Sequence, residues 1–230
     1  LPSLRERVRF VETDKKTQAL CDVLLSEIES NGVELDEAVD LAIESRNGVG
    51  FEELSAARSA LATAKMPALL ELANEYEEAE EPLIVFSAHR AAINTLGARE
   101  GWARISGSDS AEKRGKVVDQ FQNGELKGVA ITIAAGAEGI TLTRGRTVVF
   151  LDRAWTPGIN QQAAKRAHRI GQTRPVEIID LVADHRIDER VHELLAAKSQ
   201  LIEAVIEQAS VKMGEAGSAV ASSVASGVEV

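Results

Sequence analysis

The sequence predicts an α/β protein, a parallel sheet covered by helices on both faces, preceded by an α-helical linker region and closed by a long C-terminal helix. Three observations carry this. From residue 82 onward, short apolar runs (LIVFS, VAITI, TVVFLD, VEIIDLV) alternate with segments of helical period, the pattern of strands joined by crossover helices. Residues 1–81 instead are rich in Ala, Leu and Glu, with apolar positions three and four apart, as in Leu20, Leu24, Leu25 and Ile28. A chain of 230 residues that is 44% hydrophobic can also bury a sizeable core.

Taken in order, helices are predicted over roughly 14–30, 35–46, 51–63 and 66–80. The acidic run ELANEYEEAEE then gives way at Pro82 to a strand over 83–87, so a domain boundary is placed near residue 81. Helix 90–99, strand 102–106 and helix 110–122 follow, the last opened by Asp109 with Glu112 three residues on, a capping box. Strands 129–133 and 147–152, helix 158–170 and strand 176–182 complete the alternation, and Ile187 to about Gln208 forms the closing helix. The stretch 209–230, GEAGSAVASSVASGVEV at its end, reads as a disordered tail. The domains are therefore 1–81, 82–208 and 209–230.

The composition excludes several classes. Net charge −10 argues against a surface coated for nonspecific nucleic-acid binding, so an anion site must be local. One cysteine, Cys21, rules out a disulfide framework and a Cys-based zinc site. No apolar run approaches the ~20 residues of a membrane span, and the opening LPSLRERVRF has no signal-peptide apolar region. The expected setting is intracellular, in cytoplasm, nucleus or nucleoid, with no membrane partner. Residue 1 is Leu, as expected of a cut within a longer chain.

Ligands of open α/β sheets bind beyond the carboxyl ends of the strands. The loops there hold Ser87, His89 and Arg90; then SGSDS with Ser106, Gly107 and Ser108; then AAGAEGITLT; then DRAWTPG with Trp155. In the third, Gly136 and Gly139 let backbone approach a phosphate or ribose without a Cβ in the way, and Thr141 and Thr143 add hydroxyls. Packing within ordinary turns remains open for each loop alone.

Within QQAAKRAHRIGQTRP, on a helix over 158–170, Gln162, Arg166 and Arg169 would share one face at i, i+4 and i+7, and Gly171 would end the helix. Planar guanidinium forks suit phosphate oxygens; a solvated basic face, or salt bridges to the acidic preface, is the competing reading. From Arg144 to Pro175 there are seven basic residues, Arg174 among them, against Asp152 alone. Three motifs are decoys. DEAV at 36–39 starts a helix rather than a magnesium-binding strand. RGKVV at 114–118 lacks the earlier Gly and the Ser or Thr of a P-loop. His185, Glu189 and His192 do not make a metal motif, and no metal site is assigned.

The succession LIVFSAHR, ISGSDSAEKRGKVVDQFQNG, AITIAAGAEGITLT and VVFLDRAWTPGINQQAAKRAHRIGQ resembles motifs four to six of the Snf-type helicase-like ATPases of superfamily two, double-stranded DNA translocases that include chromatin remodellers and annealing helicases. The string AHRIGQTRPVEI is highly specific, and the resemblance runs from about residue 66 to 208. It implies the C-terminal, second RecA-like lobe, with residues 1–81 as the linker following a first ATPase lobe. By resemblance, Arg166 and Arg169 match catalytic motif-six arginines that reach ATP held on the other lobe. Gln162, Gly136 and Gly139 match nucleotide-facing positions, and Ser87, His89, Arg90, Ser106, Gly107, Ser108, Thr141, Trp155 and Arg174 fall where the DNA backbone is touched or supported. The motif-five segment, Gly136 to Thr141, departs from the commoner paired-glycine pattern and is nearer the annealing-helicase version, which leaves the role of Glu138 open. ATP and Mg2+ would be bound mainly by the first lobe, since no P-loop lysine or DExx pair stands in these residues. The chain alone would be inactive, and its partners would be double-stranded DNA and that lobe. A noncatalytic nucleic-acid or protein-binding module is the alternative of a different class, and a Rossmann-type enzyme is disfavoured because the glycines do not follow GxGxxG.

Overall fold

In the computed structural model, which describes residues 1–136 and 139–225 (side chains at 207 and 209–225 excepted), six strands form one parallel sheet. They are β1 (Leu4–Val11), β2 (Leu83–Ser87), β3 (Trp102–Ile105), β4 (Gly128–Thr132), β5 (Thr147–Phe150) and β6 (Val176–Ala183), in the order β1-β6-β5-β2-β4-β3. Every neighbouring pair is parallel. The central strands β2, β4 and β5 are buried on both faces, which is why they read as continuous apolar runs rather than alternating ones.

Helices cover both faces. On one side α6 (Ala111–Gln122), the single turn α7 (Ile133–Gly136) and α8 (Pro157–Ala164) pack Val117, Phe121, Ile133 and Ala163 onto Ile84, Phe86, Val129, Val148 and Ile178, with the Phe86 and Phe150 rings stacked at 5.3 Å. On the other, α4 (Met66–Glu78) and α5 (Arg90–Gly97) pack Leu69, Leu72, Ile93 and Leu96 onto Leu83, Val85, Val149 and Ile179. Each fully buried Leu or Ile of this kind contributes roughly 1.5–3 kcal/mol. A third core joins α1 (Lys15–Ser30), α2 (Leu35–Ser45) and α3 (Phe51–Ala64) to α9 (Arg186–Ala225) through Cys21, Ile28, Leu54, Leu61, Ile187 and Leu195. Burial pushes the Cys21 thiol up to about 11, so it stays protonated at neutral pH.

The four preface helices lie within two residues of their expected bounds. Residues before them differ: β1 adds a strand to the sheet beside β6, and α4 packs on the sheet itself, so a strand and a helix N-terminal to residue 81 share a core with the strands beyond Pro82. Asp36, inside the decoy DEAV, sits in the first turn of α2 and pairs with Arg190 of α9. The N-cap of α6 is Ser110, whose Oγ accepts from the Lys113 amide (3.2 Å), and not the expected Asp109, which is drawn into the preceding turn. The segment 209–230 lies outside the described side chains; helix α9 runs into it as far as Ala225, and 226–230 lie outside the described residues altogether.

The largest departure is α8. It stops at Ala164, six residues before the predicted end. The Arg166 amide bonds back to Ala163 (3.1 Å), three residues before it, and the Arg166 carbonyl is taken by the Leu142 amide of a neighbouring loop (3.0 Å). A tertiary hydrogen bond thus replaces the helical one. Gln162, Arg166 and Arg169 therefore do not stand on one helix face, and Gly171, at φ +104°, reverses a turn rather than ending a helix.

Candidate functional site

The chain moves from β2 outward to β3 on one side and from β5 outward to β6 on the other, so the topological switch lies between the adjacent strands β2 and β5. Ligands of such sheets bind at that crevice, beyond the carboxyl ends. Here the crevice is closed by Asp152, buried at 5% exposure. Its carboxylate accepts from Ser87 Oγ (2.5 Å) and from the Ala88 amide (2.7 Å), fixing the loop after β2 to the loop after β5. Ser87 Oγ in turn accepts from the His89 amide (2.9 Å), while His89 Nε2 is buried without a hydrogen-bond partner among the described residues.

The loop after β3 is joined to this one from the side. Arg90 Nη2 donates to Ser108 Oγ (2.9 Å), which lies 3.0 Å from Ser106 Oγ. Asp109 accepts from both the amide (2.7 Å) and hydroxyl (3.0 Å) of Ser106 and pairs with Lys113 (2.5 Å). Although burial works to raise it, these donors hold the Asp109 carboxyl down at about 2. Gly107 and Ser108 are exposed at the tip of this turn, and Ser87 and Ser106 are buried beneath. The exposed hydroxyl and guanidinium offer donors to a phosphate; the buried serines brace them.

The arginines of the AHRIGQ segment meet the glycine-bearing loop. Arg166 Nε donates to the Gly136 carbonyl (2.8 Å), and Arg169 Nη1 lies 3.3 Å from Thr141 Oγ1 and 3.5 Å from the Ile140 carbonyl. Burial, followed by the charge of Arg169 close by, lowers the pKa of Arg166. Two guanidiniums are thus held side by side, and no carboxylate among the described residues lies within ion-pair distance of Arg169. Gly136 is packed: a Cβ there would meet Phe86 Cε1 at 2.5 Å. Gly139, at φ +38° with open space around it, occupies the left-handed region that favours glycine. Glu138 lies outside the described residues. Gln162 is exposed on α8.

Two expected contacts sit elsewhere. Arg174 lies before β6, at the amino edge of the sheet, opposite the crevice; it reaches Glu81 (3.4 Å) and the Arg144 carbonyl (3.1 Å), and Glu81 also pairs with Arg146 (2.8 Å). Part of the basic segment is thereby neutralised by the acidic end of the preface. Trp155 is half-buried in the third core, with the Arg58 guanidinium 4.2 Å from its ring centroid and Phe51 at 6.0 Å. It anchors the preface to the rim.

Three residues that sequence reasoning does not single out prove important. Asp152 ties the crevice together; its signal was a carboxylate ending an apolar strand. Arg58, 5% exposed, donates through Nη2 to the Arg153 carbonyl and so holds the same loop from α3, while burial works against its charge and Asp152 and Asp188 favour it. Gln172, 7% exposed, bonds five backbone groups around the arginine turn. An arginine on a helical face and a glutamine after a glycine carry no such mark in sequence.

Residues 64–171 match the family described as helicase conserved C-terminal domain. Among curated proteins, Protein CHROMATIN REMODELING 19 of Arabidopsis thaliana is 32% identical over 151 residues, covering 63% of this chain and 20% of its own length. The chain spans about a fifth or less of the length of the first curated relatives it matches. Among solved structures, the C-terminal part of the Fun30 ATPase domain aligns with TM-score 0.63 at 18% identity, over 85% of this chain and 89% of that one. The Sulfolobus solfataricus SWI2/SNF2 ATPase core in complex with double-stranded DNA aligns with TM-score 0.62 at 22% identity, over 90% of this chain and 47% of that one. With its parallel RecA-like sheet, the chain has the fold of the second lobe of SWI2/SNF2 ATPases, and its residues 64–171 match the helicase conserved C-terminal domain family.

Proposed function

We propose that this chain is the second motor lobe of an ATP-dependent double-stranded DNA translocase, lending arginines to ATP held by a first lobe and donors to the DNA backbone. The observation that carries this reading is the Arg166–Arg169 pair. A packed, carbonyl-fixed guanidinium beside an exposed one, next to a loop with Gly139 and Thr141, suits an anion supplied from outside the chain. ATP and Mg2+ would be bound mainly by the P-loop and acidic pair of that first lobe. Arg169 would face the transferred phosphoryl group and stabilise the charge developing on its oxygens. Arg166, its Nε spent on Gly136, would hold the glycine loop in register beside Arg169.

On the DNA side, the exposed Gly107–Ser108 turn and Arg90 would meet the phosphate backbone, which positions a protein without reading sequence. Ser87, Ser106 and Asp152 would keep that surface in place. That a related core was solved with double-stranded DNA supports a duplex as the track. Closure of the two lobes on ATP and reopening after hydrolysis would shift these contacts along it. The Gly136–Thr141 loop departs from the paired-glycine pattern in the direction of annealing helicases, which favours that subgroup.

The test is Arg169→Ala in a two-lobe protein containing this chain. ATP binding stays within a few-fold, and DNA-stimulated turnover falls at least ~100-fold, set against the ~10³–10⁵ that an arginine finger contributes in related systems. Unchanged turnover removes the finger assignment, and duplex binding by the chain that is indifferent to both ATP and the first lobe would favour a noncatalytic binding module.

A further inference from the structure

We propose that Gln172 is the positioning residue that locks the arginine-bearing turn to the Thr141–Gly145 loop, so that the two move as one block; its kinetic consequence rests on the reading of Arg169 given above.

Gln172 Nε2 shares its two N–H groups among the carbonyls of Thr143 (3.0 Å), Gly145 (3.0 Å) and Ala167 (3.2 Å), and Oε1 accepts from the amides of Thr173 and Arg174 (3.1 Å each). Its own amide donates to the Arg169 carbonyl (2.9 Å). The side chain thus bridges three backbone segments, one of which, Thr143–Gly145, starts two residues after Thr141, whose hydroxyl faces Arg169. Gly171 makes the geometry possible, because its φ of +104° turns the chain back on itself before the amide. The Thr143 loop is gripped from its far side by a second carboxamide. Gln122 of α6 donates to Thr143 Oγ1 (3.1 Å) and accepts from the Arg144 amide (3.0 Å). The arginine turn has no helix of its own once α8 ends at Ala164, so Gln172 supplies the order that helical bonds would have supplied.

At this reach a carboxamide offers two N–H donors and a carbonyl acceptor at once. A methionine fills the volume and does neither; a carboxylate keeps the acceptors and loses every donated bond. In the 230-residue chain, amide hydrogen exchange should therefore quicken by ~10-fold or more at Leu142, Gly145, Thr173 and Arg174 in Gln172→Met, with β2, β4 and β5 unchanged, as expected for a local opening. Gln172→Glu should quicken Leu142 and Gly145 more than Thr173 and Arg174, and decides the matter if Gln172→Met does not fold. In the two-lobe protein, Gln172→Met should lower kcat by ~10- to 100-fold with KM for ATP within about twofold, the signature of displaced catalytic groups. Arg169→Lys should then add little in the Gln172→Met background.

Unchanged exchange at those four amides in both variants overturns the proposal, as does retained kcat where Arg169→Ala abolishes turnover. If the unsubstituted two-lobe protein shows no DNA-stimulated turnover, the motor reading fails, and the exchange pattern still decides whether Gln172 holds the turn.

Discussion

At the scale of single residues, Asp109 shows how a buried carboxylate can organise a phosphate-sized turn. It answers the Ser106 amide and hydroxyl and Lys113 at once, which holds it down at about 2 against an ordinary value of 3.8. Its folded-state value is depressed, so the unfolded chain takes up its proton first. The stabilisation is complete above about pH 4, and is lost as the pH falls through about 2. Denaturant titrations between pH 5 and 2 should show a loss of stability that is shallower in Asp109→Asn; identical pH slopes would contradict the assignment. Gly136 makes a steric statement of the same kind. A Cβ placed 2.5 Å from Phe86 Cε1, against a ring already stacked on Phe150, has nowhere to go, and Gly136→Ala should cost about 1–3 kcal/mol by overpacking. Chemical denaturation reads this directly, and a neutral result would mean that Phe86 can shift.

At the scale of elements, one buried ion pair joins the preface to the sheet. Lys65, between α3 and α4 and 1% exposed, donates to the Leu181 carbonyl (2.8 Å) and Asp188 (2.7 Å), and Asp188 also accepts from the Ala183 amide (2.8 Å). Burial tends to raise the Asp188 carboxyl, but Lys65 and the other donors leave it lowered. Lys65→Met strands a buried charge and should destabilise the fold by about 3–5 kcal/mol, whereas Lys65→Met with Asp188→Leu should recover part of that loss. No recovery in the double variant, measured by urea unfolding, would show that the Ala183 contact rather than the pair dominates. The elements on either side of this joint were legible because their periods are uninterrupted: four helices with apolar faces and three strands buried on both faces. β1 was not. Its sequence LRERVRFV alternates, but Arg7 and Arg9 fill one face, paired with Glu177 and Glu75, and an edge strand exposing charge looks like a loop. The C-terminal half of the expected helix 158–170 is not helical for another reason. Gln161 to Arg169 has helical spacing, and only a distant partner, the Leu142 amide, unwinds it. The candidate site was legible where the loops themselves carry the chemistry, as in Ser106–Ser108 and Gly136–Thr141. It was hidden where support comes from afar, as from Arg58.

At the scale of the whole molecule, a net charge of −10 repels DNA, yet the charge is not evenly spread. Acidic and basic groups cancel at the amino edge, where Glu81 holds Arg146 and Arg174 and Glu77 holds Arg99 and Lys127. At the carboxyl edge Asp152 is turned inward on backbone and hydroxyl donors and Asp109 is taken up by Ser106 and Lys113, and among the described residues Arg90 has a serine hydroxyl as its partner. Attraction should therefore be local, short-ranged and sensitive to salt, because the surrounding negative field is felt within about a Debye length of ~8 Å. Duplex affinity measured by fluorescence anisotropy at several salt concentrations separates this from a diffuse basic surface. Arg90→Ala should weaken binding and reduce the slope of log K against log salt by about 0.9, one phosphate contact, while Arg174→Ala, whose guanidinium is already engaged at the opposite edge, should leave the slope unchanged. Equal losses from the two variants would mean that net field rather than this edge holds the duplex, and would move the DNA path away from the crevice between β2 and β5.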